Sequence, residues 1–122
     1  MSFGFVASAT SIAGVILGIG WTFAGSPLLR RWRMEVHADG LFAGRRLGAA
    51  YLGIALMLFL GRSAPPSGLR DAVCAGMLLA LAVMAAQGAF AFKAGRVGAG
   101  VLASVGLELA LASGFAWILV TA

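Results

Sequence analysis

Four long apolar runs, separated by short polar or basic links, decide what kind of solvent this chain can fold in. They fall at about 3–24, 41–61, 71–92 and 97–121. Each is close to the roughly 20 residues that a membrane-spanning helix needs at about 1.5 Å rise per residue. Barrel strands would instead alternate in polarity over about ten residues. In lipid every backbone polar group must be satisfied internally, which leaves helices for runs of this length. Composition agrees: 61% of the 122 residues are hydrophobic and 11% charged, whereas soluble domains carry about 25% charged residues. Mean hydropathy is +1.01. The expected fold is therefore an all-α integral membrane protein, a four-transmembrane-helix bundle forming one domain over 1–122. Met1 to Phe5 lacks the basic n-region of a cleavable signal, so the first run is read as a retained helix.

The links carry most of the charge. The first holds Arg30, Arg31, Arg33, Arg45 and Arg46, and the third holds Lys93 and Arg96. The opposite side has only Arg62 and Arg70. Seven basic side chains against two place the first and third links in the cytoplasm and both termini outside. The chain is expected in the bacterial cytoplasmic membrane. The net charge of +5 is then explained by orientation and by contact with anionic headgroups, not by nucleic acid.

Ser26-Pro27 reads as an N-cap followed by proline at the first helical position. Beyond it, Leu28, Leu29, Trp32 and Val36 share one helical face, with Arg30, Arg31 and Arg33 away from it. This predicts a short amphipathic interfacial helix over about 27–37, with Trp32 at headgroup depth and the arginines on lipid phosphates. Pro65-Pro66 ends the second helix, and Lys93-Ala94-Gly95-Arg96 makes a tight turn. Links this short predict that sequential helices pack as antiparallel neighbours. Cys74 stands alone, so no intrachain disulfide or Cys-x-x-Cys pair exists. His37 and Asp39 have no second His or Cys nearby in sequence, and no metal site is expected.

Small residues recur at helical spacing: Gly14 and Gly18, Gly44 and Gly48, then Gly106, Ala110 and Gly114. Such seams let helix backbones approach closely. They serve packing inside the bundle, or contacts in a homo-oligomer or with a partner subunit. An internal echo relates Arg46-Leu47-Gly48-Ala49-Ala50-Tyr51-Leu52-Gly53 to Arg96-Val97-Gly98-Ala99-Gly100-Val101-Leu102-Ala103, and it suits two helical hairpins related by an axis along the membrane normal.

Glu108 is the one acid deep within the apolar runs, Asp71 standing at the very edge of the third. A charge at membrane depth costs about 2.5–3.5 kcal/mol by insertion scales. A partner, a water-filled cavity, a proton on the carboxyl or a bound molecule must offset that. Counted from Arg96 as one continuous helix, Glu108 lies about 18 Å deep, near the midplane. Gly100, Ser104, Glu108 and Ala112 form one i, i+4 line. Candidate polar partners or ligand-binding companions are Ser104, Gln87, Tyr51, Arg45 and Arg46. Three roles compete: a structural hydrogen-bonding residue, a ligand for a lipid, quinone or cofactor, and a carrier of protons or cations. No paired carboxylates, His cluster or phosphate loop accompanies it, so no catalytic residues are assigned.

The first helix ends in Phe23-Ala24-Gly25-Ser26-Pro27, an amphipathic link follows, and Arg46-Leu47-Gly48-Ala49 opens the second helix. In this the chain resembles the DoxX-like small bacterial membrane proteins. The motif covers about thirty residues, while the layout covers nearly the whole chain. The resemblance implies a compact four-helix bundle. A few relatives serve as subunits of quinone-linked redox systems, and most have no assigned role. The expected function is a non-catalytic membrane component that packs against partner subunits or itself, surrounded by membrane lipids. The alternative is a binder or carrier of a hydrophobic small molecule, quinone, lipid or proton through Glu108. Which cofactor, if any, the residues do not say.

Overall fold

The structure, a computed structural model, describes residues 2–121. Five helices follow in order: α1 Phe3–Phe23, α2 Gly25–Arg31, α3 Ala38–Leu60, α4 Gly68–Lys93 and α5 Val101–Thr121. All but α2 are long and apolar enough to cross a membrane. The fold is an all-α, four-span membrane bundle.

The spans form two zipped pairs, α1 with α3 and α4 with α5. In the first pair the glycine seams are the contact. A Cβ added to Gly48 would sit 2.7 Å from the Gly18 carbonyl oxygen and 2.7 Å from Thr22 Oγ1. On Gly44 it would meet the Trp21 ring at 2.5 Å, and on Gly14 the Ala55 Cβ at 3.1 Å. Ser11 Oγ donates to the Ala55 carbonyl across the same seam at 2.6 Å. In lipid, where helix association relies on dispersion and interhelical hydrogen bonds, this close approach holds the pair. The second pair crosses at Gly88, whose added Cβ would meet Val105 at 2.7 Å. The third expected seam divides: Gly114 is buried, but Gly106 and Ala110 are exposed, and a Cβ on Gly106 meets nothing within 4 Å. Those two positions do not pack inside the chain, because α5 turns the face of Ala112, Phe115 and Ile118 inward.

Short links do not make every sequential pair neighbours. The two pairs meet through α1 and α5, and α3 and α4 do not run along one another. The hydrophobic core lies in one half of the bundle. It combines Phe3, Val6 and Ala7 of α1, Leu58 of α3, Cys74 and Leu81 of α4, and Ala112, Phe115 and Ile118 of α5. All of these belong to the half near the Pro65-Pro66 link. Towards the other end the pairs diverge.

The interfacial helix is shorter and placed differently from the expected 27–37. Ser26 is not its N-cap: α2 starts at Gly25, one residue after α1. The break at Ala24 has a direct cause. Pro27 has no N–H, and its ring would clash with the Phe23 carbonyl four residues back, so α1 cannot run through. α2 ends where Arg33 takes a left-handed backbone (φ 56). Arg33 N–H donates to Arg30 O at 2.9 Å and Met34 N–H to Leu29 O at 3.0 Å, the paired bonds of a Schellman ending. The α4 terminus closes the same way around Gly95 (φ 76), with Arg96 N–H donating to Ala91 O at 3.0 Å.

The fourth span begins at Val101, not at 97. Residues 97–100 form a turn, because the Gly98 N–H donates to the Trp32 carbonyl at 2.8 Å instead of entering a helix. The internal echo therefore loses its structural counterpart. Residues 46–53 all lie within α3, whereas 96–100 are non-helical.

Two substitutions separate a packing glycine from an idle one. Gly48→Leu is expected to lower stability by about 1–3 kcal/mol through overpacking against the Gly18 backbone. Gly53→Ala, where an added Cβ meets nothing within 4 Å, is expected to be neutral or to stabilise by up to about 1 kcal/mol through helix propensity. Unfolding in mixed micelles followed by circular dichroism measures both. Equal effects at the two positions would contradict the α1–α3 contact.

Candidate functional site

Where the pairs diverge they enclose a cavity of about 630 Å³. α1 contributes Leu17 and Trp21, α3 contributes residues from Gly40 to Tyr51, α4 contributes Met84 to Ala91, and α5 lines the facing wall. The short helix α2 closes one end with Leu28, Leu29 and Trp32. It is held there by the Gly98–Trp32 backbone bond and by two glycines. A Cβ on Gly100 would lie 2.6 Å from the Arg31 carbonyl oxygen, and one on Gly98 would lie 2.8 Å from the Arg33 side chain. Trp21 supports α2 from beneath: its ring fills the space over Gly44 and meets Trp32 edge-on, with centroids 5.5 Å apart.

The walls are mostly apolar, with a few polar groups converging. Glu108, Ser104, Tyr51 and Gln87 all line this one cavity. The i, i+4 line read from sequence divides as follows: Gly100, Ser104 and Glu108 face the cavity, and Ala112 continues into the packed core. Tyr51 Oη donates to Met84 Sδ at 3.7 Å, reaching from α3 to α4 across the gap. Gln87 is exposed overall but contributes to the cavity wall. Thr10 and Ser11 spend their hydroxyls elsewhere, on Val6 O at 2.8 Å and Ala55 O at 2.6 Å.

Glu108 is half-buried, not fully enclosed. Its Oε2 is shielded and has no hydrogen-bond partner within the protein. It lies seven residues into α5, about 10 Å from the helix start instead of the roughly 18 Å counted from Arg96, and a little short of the middle of the helix. The greater expected depth came from counting Val97 to Gly100 as helix. A buried polar atom left unpaired typically costs about 1–3 kcal/mol, so a carboxyl with one unpaired, shielded oxygen on a residue that lines a cavity favours a partner from outside the chain for its accessible part.

Arg45 and Arg46, candidate partners by sequence, make no ion pair with Glu108. Both are exposed near the start of α3, and Arg46 lies over the Phe42 ring at 5.9 Å. Neither lines the cavity, because the helical register turns Gly44 and Gly48 toward α1 and these arginines outward. The cation that does line it is Arg31, at the α2 end. Arg31 and Trp32 thus belong to the cavity wall, although the sequence suggests lipid headgroups for them. Arg30 is exposed, and Arg33 packs on Gly98. Sequence reasoning missed Trp21, Met84 and Gly88. Gly88 stands beside Gln87 in an alanine-rich stretch of α4, so nothing in the sequence singles it out.

No protein-family model matches the chain, and comparison with curated proteins and with solved structures finds no match.

Gly100→Val tests how the cavity is closed. The new side chain collides with the Arg31 carbonyl, so α2 should lift from the α4–α5 turn. With Trp117→Phe as background, the expected result is a red-shifted emission and stronger acrylamide quenching from the Trp21–Trp32 pair. Unchanged emission would show that α2 does not rest on this turn.

Proposed function

We propose that this protein is a non-catalytic membrane binding protein for a hydrophobic small molecule whose polar end donates a hydrogen bond, with Glu108 as acceptor. The observation that carries the reading is Glu108, a carboxylate with an unpartnered Oε2 that lines a largely apolar cavity of about 630 Å³. Ligand sites of this kind are concave, mainly apolar and furnished with a few placed polar groups. Tyr51, Ser104 and Gln87 supply the additional polar contacts, and Arg31 lies at the α2 end. Amphiphiles bearing an amino or hydroxyl head, including reduced quinones, belong to this class. The four-span layout suits the DoxX-like resemblance but does not decide the ligand. Membrane orientation follows the basic links: the α2 end faces the cytoplasm and the Pro65-Pro66 end faces outward.

Assembly with partner subunits or a second copy is the other reading. It is favoured by the exposed small residues Gly106 and Ala110 on α5. Native mass spectrometry from lipid nanodiscs separates the two. A retained small molecule on a single chain supports binding, and a stable oligomer without one supports assembly.

Trp21 and Trp32 line the cavity, so their fluorescence reports occupancy. Dodecylamine and dodecanol are expected to quench or shift it saturably in nanodiscs. Glu108→Gln is expected to weaken dodecylamine binding about tenfold or more, the worth of a charge-assisted hydrogen bond, and to leave dodecane unaffected. Identical dodecylamine titrations for the two proteins would refute the assigned role of Glu108.

Labelling of single cysteines in a Cys74→Ser background tests orientation. Cysteines at Ser67 and Ser2 should react with an impermeant maleimide from outside intact cells, and one at Lys93 only after permeabilisation. Labelling at Lys93 in intact cells would reverse the orientation.

A further inference from the structure

Arg70 is another charge that the fold shields without supplying a counter-charge, and it lies far from Glu108. It occupies the first turn of α4, where a cation opposes the helix dipole, so helix stability does not explain it. Its Nη1 donates to the Ala64 carbonyl at 3.1 Å, and its guanidinium carbon sits 4.8 Å from the centre of the Phe3 ring. Its Nε is buried and has no acceptor. Asp71 follows in sequence but makes no ion pair with it. Among the described residues the one ion pair is His37–Glu35, at the other end of the bundle.

Arg70 borders a second cavity, about 380 Å³, in the gap between α3 and α4. Phe3, Ile54, Leu58, Val73 and Met77 make its apolar walls. A guanidinium is a planar, delocalised cation, and the Nη–H groups that Ala64 does not occupy fit the oxygens of a phosphate. The first turn of a membrane span lies at headgroup depth, where lipid phosphates are the abundant oxyanions. Nε itself is covered by the protein, so it is the remainder of the guanidinium that borders the cavity; it lies at the depth of lipid phosphates, and the apolar gap continues from it along the helices.

We propose that this second cavity holds an anionic lipid, its phosphodiester on the accessible Nη side of the Arg70 guanidinium and one acyl chain in the gap between α3 and α4. The site is independent of the Glu108 cavity, which opens at the opposite end of the bundle. Arg62 is its natural control. It is exposed on the same side and already occupied, donating to the Phe59 carbonyl at 2.6 Å and stacking over the Phe59 ring at 4.0 Å.

Native mass spectrometry of the full chain in detergent, with phosphatidylglycerol or phosphatidylcholine of matched acyl chains, tests the proposal. One phosphatidylglycerol should be retained at lower lipid concentration than phosphatidylcholine. Arg70→Gln should weaken that retention about tenfold or more, with Arg70→Lys intermediate because an ammonium cannot fork. Arg62→Gln should change nothing. Gly76 lines the same cavity and has no atom within 4 Å of an added Cβ, so Gly76→Leu can fold and should compete with the acyl chain. Weakened retention in Gly76→Leu supports the site even where Arg70→Gln fails to fold, and wild-type retention there overturns it. Equal loss in Arg62→Gln, equal retention of the two lipids, or full displacement by inorganic phosphate alone would each overturn it as well.

Discussion

The close approach of the α1 and α3 backbones at Gly18 and Gly48 governs the rest of this molecule. With a Gly48 Cβ position only 2.7 Å from the Gly18 carbonyl, the two helices touch main chain to main chain. Lipid tails are as apolar as leucine, so such contact and the Ser11–Ala55 hydrogen bond give the pair the cohesion that the hydrophobic effect would provide in water. α4 and α5 gain theirs at Gly88. Each pair is then complete by itself. What joins them is a core confined to one half of the bundle, centred on the fully buried Phe115. Divergence in the other half follows, and α2 fills only its end.

Polar accounting connects this packing to function. Two side-chain polar atoms among the described residues are buried and unpaired, Glu108 Oε2 and Arg70 Nε. Each borders a cavity, and the two cavities lie at opposite ends of the gap between the zipped pairs. Opposite charges in one small chain could have neutralised each other. They are instead kept apart by the core, where Leu58, Cys74 and Leu81 close the space between them. Such separation is costly in lipid. It is consistent with an outside partner for each group: a hydrogen-bond donor at the acid and a lipid phosphate at the arginine.

Much of this was readable from residues. Four apolar runs bounded by proline, glycine and arginine set the number of spans, and the small-residue spacing marked Gly14, Gly18, Gly44 and Gly48 as seam positions without saying which helices they join. Ser104 and Glu108 share a face of α5 as their spacing suggests, while Gly100 reaches the same cavity from the turn before the helix. What escaped was tertiary. Pro27 looked like a helix start, but its clash with the Phe23 carbonyl shows up only once α1 and α2 are nearly continuous. The turn at 97–100 arises from a bond between Gly98 and Trp32, which are distant in sequence. Arg31 and Arg45 look alike in a list of charges, and only helical register sends one to the cavity and the other to the surface. Arg70 seemed an ordinary flanking cation because nothing local announces that its Nε is buried.

The most direct measurement is disulfide trapping in lipid nanodiscs on a Cys74→Ser background. Paired cysteines at Gly14 and Ala55 sit across the α1–α3 seam, where an added Cβ on Gly14 lies 3.1 Å from that of Ala55, and should oxidise rapidly. Tyr51 and Met84 meet only at the tips of long side chains, so their cysteine replacements should stay reduced across the open gap. Rapid trapping between positions 51 and 84 would mean that the pairs close on each other and that the cavity around Glu108 does not exist.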